Sequence, residues 1–212
     1  MGRPLALLGA AVVCCGLAAV AVAGGKPPLQ HVTIFSDSVG AALDWDSSAK
    51  RIVEHGDDVR FELHPCGRLA QPGCLLGPSP PPSVLALVRS LGRRVGPTAI
   101  VFVGYNDDPS SYRRGIPAVM RALRNHGVKH VLWLTLRAVN RQYTDTDHAI
   151  YAAEQTWQPL LTVLDWNHYS ATHRSWFAQD GIHLSGAGAL AFATYLHRSL
   201  RRLGLTGPKP TE

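Results

Sequence analysis

Five short apolar runs, separated by segments of helical periodicity, constrain this chain more than any other feature. Residues 31–35, 98–104, 130–136 and 160–166 are rich in Val, Ile, Leu, Phe and Trp, and residues 58–64 alternate polar with apolar. Near-continuous apolar runs of this length read as strands buried on both faces. Residues 39–55, 83–94, 111–126, 147–157 and 185–203 repeat their apolar positions at helical spacing. In the second of these, Ser83 stands at a capping position and Val84, Leu87, Val88 and Leu91 share one face. Strands alternating with helices predict a three-layer α/β/α sandwich built on a five-stranded parallel sheet. No internal period supports a solenoid or propeller. A hydrophobic fraction of 46% excludes intrinsic disorder.

The first residues obey a different rule. Residues 5–23 carry no charge, follow Arg3, and end in Ala21-Val22-Ala23 ahead of Gly24-Gly25. A basic start, an apolar stretch and small residues at the end are the marks of a secretory signal peptide. The same run is long enough to serve as an uncleaved anchor. Either way the remainder is expected to be exported, to the cell envelope or beyond. The expected organisation is therefore a signal segment over 1–23, a linker over 24–30, one domain over 31–205 and a tail over 206–212.

Two of the four cysteines fall in that first segment, leaving Cys66 and Cys74. An even pair in an exported chain predicts a short-loop disulfide, the alternative being two free thiols. No Cys/His spacing fits zinc, and Asp145-Thr146-Asp147-His148 lacks the rest of a calcium loop. Neither a metal nor another cofactor is expected. Lys plus Arg number 21 against 15 acids. The basic residues are scattered without interleaved aromatics, which argues against a nucleic-acid partner but suits an anionic envelope surface. A membrane partner is expected only if the first segment is retained, and the sequence carries no signal for an oligomeric state.

Ligands of parallel sheets bind beyond the carboxyl ends of the strands, so the polar residues there carry the information. Ser38 lies at the turn after the first strand, where a free backbone N–H and a presented hydroxyl suit a nucleophile; simple helix capping by Ser36, Asp37 or Ser38 is the alternative. Gly104-Tyr105-Asn106-Asp107 follows the most apolar strand, and the Asn106 amide can point a donor into the cleft. In Asp180-Gly181-Ile182-His183, a carboxylate three residues before a histidine can orient its ring as a general base.

Taken together, Ser36-Asp37-Ser38-Val39, Gly104-Tyr105-Asn106-Asp107 and Asp180-Gly181-Ile182-His183 resemble, in this order, the blocks of the SGNH (GDSL-type) hydrolases. Gly67, after the second strand, is similar to that family's second-block glycine. Ser36 replaces the glycine of the first block, and Val39 replaces its leucine. The resemblance implies the flavodoxin-like fold already expected. It also implies a Ser38–His183–Asp180 catalytic set and an oxyanion hole built from the Ser38 and Gly67 N–H groups with the Asn106 amide. The expected activity is hydrolysis of O-acyl esters through a covalent acyl-enzyme, on a small-molecule or glycan substrate. The alternatives are an O-acyltransferase with the same residues, or a catalytically silent envelope-binding module.

Overall fold

The computed structural model describes residues 29–75 and 77–207. The expected signal segment, most of the linker and residues 208–212 of the tail lie outside the described residues. Among the described residues no helix is long and apolar enough to cross a membrane.

Five strands form one parallel sheet: β1 (Gln30–Ser36), β2 (Asp57–Leu63), β3 (Thr98–Phe102), β4 (His130–Leu134) and β5 (Leu161–Leu164), in the spatial order β2-β1-β3-β4-β5. Both faces are covered, as the apolar strands required. In β1 and β3, Val32, Ile34, Ile100 and Phe102 face one layer of helices. Phe35, Ala99 and Val101 face the other. This strict alternation is the two-residue period of a strand, here with both faces buried.

The first layer holds α1 (Ala42–Trp45), α2 (Ser47–Glu54) and α7 (Gly186–Arg202), and the second α3 (Val84–Leu91), α4 (Pro109–Asn125) and α5 (Arg141–Trp157). In the second layer the buried Trp133 indole N–H donates to Tyr112 Oη at 2.8 Å, which in turn donates to the Val103 carbonyl at 2.9 Å. Satisfying both polar tips lets two large aromatics enter the core without an unpaired group.

The helices depart from the sequence expectation where capping residues intervene. One helix over 39–55 is instead two, broken at Asp46, whose carboxylate accepts the Ser48 and Ala49 N–H groups. An aspartate that can satisfy two free amides starts a new helix more readily than it sits inside one. Likewise α4 and α5 start earlier than expected, at the caps Asp108 and Asn140. A short helix, α6 (Trp166–Ser170), occupies a stretch expected to be a loop.

The strand order reverses direction between β1 and β3. Ser38 leaves β1 and Asn106 leaves β3, so both lie at the switch point where a cleft opens in such sheets.

Candidate active site

Ser38 sits half-buried in the turn between β1 and α1, directly after Asp37. Asp37 is fully buried, and its carboxylate accepts N–H groups from Val39 (3.0 Å), Gly104 (3.3 Å) and Tyr105 (3.4 Å). One side chain thus ties the exit of β1 to the exit of β3. Burial pushes the Asp37 carboxyl up to about 7, although its three amide donors pull the other way. Ser36 adds a second tie, its hydroxyl donating to the Phe102 carbonyl at 2.8 Å. A Cβ on Gly40 would collide with the Ser36 side chain, so glycine is needed opposite this serine. Val39 is buried in the core.

The Ser38 hydroxyl lies 3.0 Å from His183 Nε2, and His183 Nδ1 lies 2.6 Å from Asp180 Oδ2. Asp180 Oδ1 accepts the Ile182 and His183 N–H groups at 2.8 and 3.1 Å. Partial burial raises the Asp180 carboxyl, but the His183 ring and the two amides outweigh it and leave the group below its ordinary value. An ionised Asp180 accepting from Nδ1–H leaves Nε2 as the acceptor facing Ser38.

Local structure holds this acid–base turn. Phe177 and Leu184 form an antiparallel bridge, and Ala178 N–H donates to the His183 carbonyl at 2.8 Å. Arg174 braces the segment before Asp180 by donating to the Ala178 and Gln179 carbonyls at 2.7 and 3.0 Å. Gly181, at φ 75°, makes the tip of the turn. Phe177 is buried and Trp176 packs against the core, so both anchor the loop. The Arg137 guanidinium stacks 3.8 Å from the Phe177 ring centroid and donates to the Ser170 carbonyl.

Asn106 completes the cluster. Gly104 directs the chain into the cleft at φ 145°, a conformation that strains any other residue, with Leu136, Tyr112 and Thr146 within 3.0–3.3 Å of where a Cβ would stand. Asn106 Nδ2 donates one proton to the Gly67 carbonyl at 3.2 Å, leaving its second N–H free. Among the described residues nothing accepts the Ser38 N–H. These two donors lie at the exits of the neighbouring strands β1 and β3.

Gly67 departs from expectation. Its N–H donates to the His64 carbonyl at 2.8 Å, closing a turn through Pro65 and Cys66, and is not free to serve as a donor. What Gly67 offers the site is its carbonyl. The expected disulfide between Cys66 and Cys74 is present, with Cα atoms 5.3 Å apart.

Sequence reasoning missed several supports. Asp108 caps α4, whereas the buried Asp107 carboxylate accepts the Leu69 N–H at 3.1 Å. Burial pushes Asp107 up to about 6. Asp147 accepts the Leu136 N–H at 2.7 Å and is pushed by burial up to about 7. Arg68 donates from Nε to the Asn106 carbonyl at 2.7 Å. No local pattern marks these residues, because their partners lie on other strand exits. Among the described residues no group of three or more His, Cys, Asp or Glu is placed to hold a metal ion.

Beyond Asn106 opens a cleft of about 600 Å³, lined by Asn106, Asp108, Ser110, Arg141, Gln142 and Asp145 among others. Its lining carries side chains of both charges, Asp108 and Asp145 beside Arg141.

No protein-family model matches the sequence, and no curated protein matches it. Solved structures do match. The catalytic domain of Streptococcus pneumoniae peptidoglycan O-acetyltransferase A is 16% identical with a TM-score of 0.61, covering 86% of this chain and 98% of that one. A carbohydrate acetylesterase family member of Sinorhizobium meliloti is 14% identical with a TM-score of 0.62, covering 82% and 98%. A protein of Slackia heliotrinireducens assigned to the SGNH hydrolases is 14% identical with a TM-score of 0.56, covering 82% and 100%. The fold of this chain is that of the SGNH hydrolases.

Proposed function

We propose that this chain is an SGNH-type serine esterase that cleaves O-acyl esters through a Ser38 acyl-enzyme. The observation that carries the reading is the continuous path Ser38 Oγ–His183 Nε2, His183 Nδ1–Asp180 Oδ2, beside two unspent N–H donors. In the reaction His183 takes the Ser38 proton as Oγ attacks the ester carbonyl. The carbonyl oxygen becomes an oxyanion, met by the Ser38 N–H and the free Asn106 N–H. His183 then protonates the departing alcohol. Water attacks the acyl-enzyme by the same route in reverse and releases the acid. Asp180 keeps the ring in the productive tautomer and steadies the imidazolium that forms. No step calls for a metal or cofactor.

The substrate is a polar ester, of the kind borne by a glycan or small molecule. The hydrogen-bonding and charged side chains in the cleft adjoining Asn106 support this, as do the carbohydrate esterase and O-acetyltransferase that share the fold. The same residues would transfer the acyl group to a sugar hydroxyl if that hydroxyl, rather than water, reached the acyl-enzyme. An exported location goes with the Cys66–Cys74 bridge, since such bonds persist in oxidising compartments.

The test is hydrolysis of a graded series of p-nitrophenyl acyl esters and acetylated sugars by the purified protein beside Ser38→Ala. Wild type no faster than the variant on every substrate sinks the esterase reading. Adding a free oligosaccharide separates transfer, seen as acylated sugar, from hydrolysis. Mass spectrometry of the protein recovered from the producing cell tests cleavage: a species starting at Met1 overturns the cleaved-signal reading.

A further inference from the structure

Three consecutive residues after Cys66 fasten onto Asn106 and Asp107. The Gly67 carbonyl accepts from Asn106 Nδ2 at 3.2 Å, Arg68 Nε donates to the Asn106 carbonyl at 2.7 Å, and the Leu69 N–H donates to the Asp107 carboxylate. Asn106 is thereby gripped at its side chain and its main chain by one short segment. The two ends of that segment are held very differently.

The far end is anchored by the fold. Leu69 is fully buried, and the Arg68 and Leu69 carbonyls accept the Val84 and Leu85 N–H groups at the start of α3. The near end depends on Cys66, the only non-glycine residue with positive φ among the described residues, at 65°. That is the left-handed region, which a cysteine occupies only under constraint. The constraint is the ring closed by Cys74, through the disulfide and through the Cys74 N–H donating to the Cys66 carbonyl at 3.2 Å. Gly73 lies against that same carbonyl, where a Cβ would come within 2.6 Å. Most of the described residues of 71–82 are exposed, and besides the disulfide ring this part of the loop is held by the Gly73 N–H donating to the Pro81 carbonyl at 3.2 Å and by the Gly67 N–H donating to the His64 carbonyl at 2.8 Å.

We propose that the Cys66–Cys74 disulfide is a positioning element for Asn106, acting through Gly67 and Arg68, and that it makes turnover sensitive to thiol redox state. Opening the bond lets Cys66 relax toward negative φ. That rotation turns the Cys66–Gly67 peptide and carries the Gly67 carbonyl away from Asn106 Nδ2. The loosening is local, because Leu69 and α3 remain anchored. A dithiol supplies the two electrons, and two protons complete the change: the S–S bond breaks, two thiols form, and the dithiol leaves as its own disulfide. The kinetic part of this proposal rests on the esterase reading above; the structural part does not.

The experiment compares the oxidised full chain, the dithiol-reduced chain and C66A/C74A, each in wild-type and N106A backgrounds. Circular dichroism at the assay temperature verifies folding. With p-nitrophenyl acetate, reduction is expected to lower kcat about tenfold, part of the 10²–10³ that one oxyanion donor supplies, while KM changes little. In N106A the same reduction is expected to cost less than about twofold, because the group it positions is gone. Equal losses in the two backgrounds, or no loss in either, overturn the proposal. The second readout is independent of activity: NMR exchange of the Asn106 side-chain amide protons, identified by their disappearance in N106A. Faster exchange after reduction supports the brace, and unchanged exchange overturns it. A wild type no faster than S38A defeats the esterase reading alone, and the exchange measurement then decides the brace. If C66A/C74A fails to fold, the reduced wild-type chain carries both measurements.

Discussion

His183 Nε2 lies 3.0 Å from Ser38 Oγ across 145 positions of sequence. Each residue is fixed by its own local device, Ser38 by the buried Asp37 and His183 by the bridged turn from Phe177 to Leu184. The contact is made where two independently built loops meet.

If these residues act as one unit, their losses should not add. Ser38→Ala and His183→Ala are each expected to lower kcat by about 10⁴ or more, and the double variant by no more than the worse single one. Steady-state kinetics with p-nitrophenyl acetate measures this. Additive losses would mean that the two side chains act separately.

Asp180→Asn tests the orienting role. The amide can donate to Nδ1 and so stabilise the wrong tautomer, and kcat should fall by about 10³–10⁴ with little change in KM. Retention of more than a tenth of wild-type kcat would contradict the role given to Asp180.

Asn106→Ala is expected to cost about 10²–10³ in kcat. Asn106→Asp should be at least as damaging, since a carboxylate there repels the developing oxyanion. Activity in either variant close to wild type would remove Asn106 from the reaction.

Two carboxyls at the strand exits, Asp37 and Asp147, are pushed up by burial to about 7 from an ordinary 3.8. Raised acids bind protons in the folded state that the unfolded chain has released, so their stabilisation is lost as pH rises through about 7. His197, lowered by burial from 6.5, works in the opposite sense below that value. The clean window is therefore pH 8.0 to 6.5, across which Tm should rise by roughly 3–6 °C on acidification. Among the described residues Asp147 Oδ2 is buried without a partner, so Asp147→Asn should raise Tm at pH 8 and flatten this slope. Thermal melts at both pH values check it; a Tm that falls between pH 8.0 and 6.5 contradicts the sign.

Gly188, in the first turn of α7, lies against the Trp176 carbonyl, and a Cβ would overlap it. Gly188→Ala should therefore destabilise despite the better helix propensity of alanine, by about 1–3 kcal/mol in a urea titration. An alanine variant as stable as the parent would show that the Trp176 segment yields freely.

The layered architecture was legible because it depends on local pattern. Apolar runs buried on both faces and helical periodicity survive without knowledge of any partner, and the five strands fall within a few residues of where the sequence puts them. The contact of Ser38 with His183 and of His183 with Asp180 joins segments that the sequence singles out as short motifs, as it does the Asn106 segment. The helix break at Asp46 was not read, because a capping aspartate looks like any polar residue on a helix surface until its partners are known.

Gly67 shows the same boundary within the site. Sequence could place a glycine at the exit of β2, but not which of its two backbone groups faces Asn106. The left-handed Cys66 decided that, engaging the N–H with His64 and leaving the carbonyl to Asn106. Asp37, Asp107, Asp147 and Arg68 became supports only because sheet order brings the exits of neighbouring strands together. Sequence alone thus determined the layers and nominated the side chains proposed to react, which follow from burial pattern and residue chemistry. Tertiary structure decided which donors remain free, because a hydrogen bond already made within the fold removes that group from further use.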